Sequence, residues 1–195
     1  MPESRESIVK YRASIVLLMA FPLACHRAPT TTWRNPVSAS IIQTTPDDKL
    51  EQLIVDAVIN RIGKDDEHKR EIIVSMPKGF RFIYATWLLE AEVNNGGFNQ
   101  FFWNTSGKFS ADALEGLREI GARKHERLLS KAIQLCEKER SVMKKFKNQG
   151  TLEAFSESYK HTKLNELDEE FYKLNDLESL RVKYIRAHPE LFKSE

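Results

Sequence analysis

Two cysteines, Cys25 and Cys136, cannot build a disulfide framework, and neither CxxC nor a Cys pair beside a His pair occurs, so the sequence offers no structural zinc site. The five histidines (26, 68, 125, 161, 188) are scattered and form no HExxH or H-x-H pattern. GxSxG, GxxxxGK and GxGxxG are all absent, which removes the nucleophile elbow, the phosphate loop and the dinucleotide fingerprint. Nothing calls for a metal or a cofactor, and no catalytic residue is expected. Surplus charge is lacking too. Of 30 basic and 28 acidic side chains, residues 1–28 hold Arg5, Lys10, Arg12 and Arg27 against Glu3 and Glu6, so the remainder of the chain balances to zero. A neutral body gives no bulk reason to bind nucleic acid, whose affinity comes mainly from counterions displaced by a basic face. Alternating strand runs and internal repeats are missing as well.

What is present begins with an export-like leader. Lys10 and Arg12 precede the uncharged run ASIVLLMAFPLA at 13–24, too short for a spanning helix of about 20 residues but suited to a signal peptide. Pro22-Leu23-Ala24-Cys25 resembles a bacterial lipobox, with Pro22 where leucine is usual and Leu23 bulky for its slot. Residues 1–25 therefore read as a signal peptide, with lipidation at Cys25, ordinary cleavage and an uncleaved start as the three outcomes. Residues 26–46, rich in proline and hydroxyls, read as a flexible tether. The expected location is outside the cytoplasm, in the cell envelope, with membrane contact through a lipid anchor alone.

From residue 47 onward apolar residues recur at helical spacing, and residues 47–195 are expected to form one all-α domain of seven or eight helices. Leu50, Leu53, Ile54, Ala57, Val58 and Ile62 make one stripe, with Asp48 and Glu51 as a capping-box start. EIIVSM (71–76) fits strand or helix, and FRFIYATWLLEAEV (80–93) is apolar on nearly every face, as in a helix buried all round. Ser110, Thr151, Thr162 and Asp176 are expected to cap further helices. Cys136 reads as a buried small hydrophobe, and Glu90 as a paired or peripheral carboxylate.

Residues 92–107 read EVNNGGFNQFFWNTSG. Asn94-Asn95-Gly96-Gly97 should end one helix, because asparagine and glycine accept left-handed backbone. Phe98 then opens another turn in which Phe98, Phe101 and Phe102 share a face, with Gln100 and Asn104 on a different one. The expectation is a core-directed aromatic wedge whose amide flank faces outward. Free backbone N–H groups at the new helix start would suit an anion or a partner's carboxylate. Glu92, Asn94, Asn95, Gly96, Gly97, Phe98, Gln100 and Asn104 are the candidate binding residues.

E-V-N-N-G-G-F-N-Q-F-F-W-N, with S-G and A-L-E-G-L-R-E-I-G-A after it, resembles a bacterial domain family whose best-described member is a DNA-mimic protein binding a transcription factor. DEEFY (168–172) and Y-I-R-A-H-P-E-L-F (184–192) extend the resemblance, and matching positions run from Glu92 through Gly121. The resemblance implies a compact all-α fold and a non-enzymatic, protein-binding role. Mimicry itself does not carry over, since it needs phosphate-like carboxylates and this body is neutral. Two further readings stay open: an immunity-type protein neutralising a toxin, and a hydrolase using Glu92 with Gln100 or Asn104.

Overall fold

A computed structural model describes residues 36–193; the leader, Cys25 and the first ten residues of the expected tether lie outside the described residues. The described chain is helical without a strand. Its elements are α1 (Ala39–Thr44), α2 (Asp47–Ile62), α3 (Lys69–Val74), α4 (Lys78–Thr105), α5 (Ser110–Glu119), α6 (Arg123–Lys138), α7 (Arg140–Lys147), α8 (Leu152–Ser158), α9 (Asn165–Phe171) and α10 (Leu177–Ala187), with 3₁₀ turns at Tyr159–His161 and Pro189–Phe192. The expected all-α class is found. None of these helices is long and apolar enough to cross a membrane.

α4 is the central element because its first half is apolar on nearly every side. Phe80, Phe82, Ile83, Leu89 and Val93 are all fully buried. α2, α5, α9 and α10 pack around it. The α2 stripe (Leu50, Ile54, Val58) meets it as the spacing requires, and EIIVSM proves helical through Val74.

Four local expectations need correction. The tether reading does not hold for its last stretch: Val37 and Ile42 are buried, and Ser38 caps α1 by accepting the Ile41 N–H. The guanidinium of Arg186 donates to the Ile42 and Thr45 carbonyls, so this short helix ends on side-chain donors instead of water. Asp48 and Glu51 form no capping box, because α2 starts behind Pro46 and Glu51 turns to Arg181. Ser110 is inside α5 behind Phe109, and its hydroxyl caps nothing. Asp176 stands at the start of α10 without bonding its N–H groups, its carboxylate lying 3.7 Å from His125 Nδ1. Thr151 does cap α8, accepting the Ala154 N–H at 3.1 Å.

Candidate functional site

α4 is two helical pieces, 78–95 and 98–105, joined by a bend. Gly96 has φ −162° and ψ 32°; Gly97 has φ 70° and ψ −179°. The second pair belongs to a region essentially restricted to glycine. The expected glycine corner is therefore present, and the aromatic wedge turns inward from it: Phe98 and Phe101 are fully buried and Phe102 nearly so. Phe98 meets Phe171 edge-on at 5.5 Å.

The outer side of the corner is organised by Glu92. Its Oε2 accepts the Gln100 side-chain amide at 2.8 Å and the Asn104 side-chain amide at 2.8 Å. In a straight helix, residues 92 and 104 would be separated by about 18 Å along the axis, beyond the reach of these two side chains. One carboxylate oxygen can collect both amides because the chain bends between them. Asn94, Asn95 and Asn104 are exposed, while Glu92, Gly96 and Gln100 are half-buried. Glu92 and Asn104 also line a cleft of about 220 Å³ with Lys69, Arg70, Ser106 and Lys108.

Gly97 and Phe98, also candidate binding residues, are buried and belong to the inner side. The N–H group of Phe98, which the bend releases from helical bonding, donates to Asp168 Oδ1 at 2.9 Å. The carboxylate at the new helix start is thus the chain's own. Burial raises the Asp168 pKa above the usual carboxylate value, against the Phe98 N–H, which lowers it. Two tyrosine hydroxyls take carbonyls beside the bend: Tyr159 donates to Gly96 O at 2.6 Å, and Tyr172 donates to Val93 O at 3.1 Å. Burial pushes the Tyr159 hydroxyl up to about 12, so it stays a proton donor at neutral pH. Asn99 is buried and donates to Ser158 Oγ at 2.9 Å.

Asp168, Tyr159 and Tyr172 were not candidate residues from the sequence. The signal for two of them lies in DEEFY, whose first and last residues are four apart and so share a helix face. The spacing cannot say that this face meets NNGG some 70 residues earlier. Two of the stretches that carry the family resemblance, NNGGF and DEEFY, are thus halves of one structural unit.

Other candidate chemistry is placed as follows. Glu90 is paired, accepting from the buried Arg181. Cys136 is half-buried, and burial raises its thiol. Among the described residues no group of three or more His, Cys, Asp or Glu side chains could hold a metal ion.

A family model described as DMP19-like protein matches residues 74–188. The match runs from the last residue of α3 through α10 and includes the whole corner and its lock; α1 and α2 lie outside it. No curated protein and no solved structure matches the chain.

Proposed function

The chain belongs to the DMP19-like protein family, and from that premise we propose that it is a non-catalytic, helical protein-interaction module. Its docking face is the outer side of the glycine corner: Glu92, Asn94, Asn95, Gly96, Gln100 and Asn104. The observation that carries the reading is the Glu92 fan, which fixes two amide side chains from beyond the bend on one oxygen. Polar groups held this way lose little side-chain freedom on binding, so more of their contact energy appears as affinity. Asn94 and Asn95 stand exposed beside them.

Phosphate mimicry is not part of the proposal, because the neutral body supplies no bulk field like that of DNA. An immunity-type role is the same surface with a toxin as the partner, and co-purification with a toxin separates it from the general case. For the hydrolase reading, Glu92 is present but two amide donors already occupy one of its oxygens. Unchanged turnover in Glu92→Gln, or no turnover across a substrate screen, ends that reading.

Export and lipid anchoring at Cys25 complete the proposal; they are supported by the basic start, the 13–24 apolar run and the small residue before Cys25. Labelled palmitate taken up by the full chain and lost in Cys25→Ser is the expected result.

The docking face is tested by site-specific photo-crosslinking. A crosslinker at Asn95 or at Asn104 is expected to capture one and the same protein from cell extract. The same group at Glu178, on α10, which supplies no side chain to the corner, should not capture it. No common product from the two corner positions ends the docking reading.

A further inference from the structure

We infer that Asp168 is the positioning residue of the docking face: from α9 it fixes the bend of α4 and so brings Gln100 and Asn104 onto Glu92. Its meaning for binding rests on the docking reading above, while its geometry can be tested without any partner.

The space beside Gly97 is filled by Asp168. A Cβ built at Gly97 would lie 2.0 Å from Asp168 Oδ2 and 2.7 Å from its Cγ. The missing side chain at 97 and the carboxylate at 168 are therefore complementary parts of one contact. The other oxygen, Oδ1, accepts the Phe98 N–H, the first amide of the second helical piece. A buried N–H left without an acceptor is costly, so this bond favours the bent backbone over alternatives that would strand it.

The hydrogen bond of Asp168 goes to the Phe98 N–H, not to Glu92 or to the two amides that Glu92 holds. It acts on them through Gly97 and Phe98. Glu92 precedes the bend and Gln100 and Asn104 follow it, so their meeting point reports the bend angle. Neighbours on the same strip of chain reinforce the hold. Phe171 stacks edge-on against Phe98, and Tyr172 donates to the Val93 carbonyl. The display surface lies on α4, but its shape is set from α9, with the hydroxyl of Tyr159 as a further tie.

A purely stabilising role would lower the unfolding midpoint and leave the native geometry alone, so the test reads geometry. In the isotopically labelled full chain, NMR follows the Phe98 backbone amide and the side-chain NH₂ pairs of Gln100 and Asn104. Glu92→Ala first shows where those pairs resonate when unlatched. Asp168→Ala is expected to speed Phe98 amide exchange about tenfold or more and to move both NH₂ pairs toward their unlatched positions. Asp168→Asn, whose carboxamide oxygen still accepts the N–H, is expected to restore both. Ile54→Val, a core change far along the sequence, should lower stability without moving the pairs.

Asp168→Ala with both pairs at wild-type positions overturns the inference, as does Asp168→Asn behaving like Asp168→Ala. Should Asp168→Ala fail to fold, Asp168→Leu supplies the same reading, because its side chain has the same branched shape but cannot accept the Phe98 N–H. Moved pairs then support the inference and unmoved pairs overturn it. If the crosslinking at Asn95 and Asn104 fails while the pairs move as stated, the docking reading falls and the positioning role stands.

Discussion

Two buried charged groups tie this fold together, and they do so in opposite ways. Asp168 is a lone carboxylate that accepts a backbone N–H and fills the room left by a glycine. Arg181, fully buried on α10, is a cation held between two carboxylates, Glu51 on α2 and Glu90 on α4. Burial opposes the charge on Arg181, but Glu90 and Glu51 outweigh it and hold the guanidinium protonated. The Asp168 contact lies wholly within the residues that the family model matches. The Arg181 contact straddles its edge, since Glu51 is outside. One sets the shape of a surface; the other fastens the N-terminal helices to the family domain. Two energetic signatures follow, because removing a shape-setting bond and orphaning buried charges are different injuries.

The largest effect is expected from orphaned charge. Arg181→Ala leaves Glu51 and Glu90 facing each other without their cation and should cost about 4 kcal/mol, within the range for breaking a buried pair. The carboxylates keep 14% and 24% side-chain exposure, which places the cost below the upper end of that range. Arg181→Met combined with Glu51→Gln and Glu90→Gln should recover most of the loss, since the uncompensated charge is gone. Urea denaturation measures both. A triple variant as unstable as the single one would mean that Arg181 matters for its packing and not for its charge, and the comparison would lose one side.

Next in size is Gly97→Ala, expected to cost about 3 kcal/mol from two sources: a glycine-only backbone conformation and a clash with Asp168. Gly121→Ala gives a reference with backbone strain and no clash. Gly121 also has positive φ, at 78°, but nothing lies within 4 Å of a Cβ there, so only about 1 kcal/mol of backbone strain is expected. Equal costs at the two glycines would show that Asp168 yields without penalty, and the idea of a filled contact at Gly97 would fail.

The helical class, the buried first half of α4 and the glycine bend were legible because each is local: periodicity, an apolar run and residues that tolerate unusual φ. Asn94, Asn95 and Asn104 emerged on the outside for the same reason, since amide spacing on a short helix fixes the face. Asp168, Tyr159 and Tyr172 were not legible as a site. Their roles depend on which helix packs beside the bend, and no spacing within α9 reports that. Phe98 and Gly97 lie on the inner side of the corner, where the backbone N–H expected to await a partner's carboxylate is served by the chain's own. The cap at Glu51 fails because a tertiary demand, Arg181, takes its side chain away from the helix start, whereas Ser110 is already the first residue of α5 and its hydroxyl bonds nothing. The helix at the end of the expected tether is not legible because six residues are too few to show a period.

The smallest expected effect concerns acid, where the two contacts should respond with opposite sign. His125 lies near the Arg181 cluster, 1% exposed and edge-on to Phe171 at 5.2 Å. Burial lowers its pKa below 6.5, helped by Arg181 and Lys124 and opposed by Asp176 and Glu90. In the window below 6.5 the unfolded chain therefore binds more protons at this site, and stability drops as pH falls. Asp168 has its pKa raised above 3.8, so in the window just above that value the folded chain holds the extra proton, and acid favours folding there. Urea midpoints taken from pH 7 to pH 4 should show His125→Gln flattening the upper part of the decline. Asp168→Asn should leave that upper part alone and deepen the loss nearer pH 4, because the proton that offset it has no site. If His125→Gln leaves the upper slope unchanged, desolvation does not govern that ring, and the acid response comes from other titrating groups.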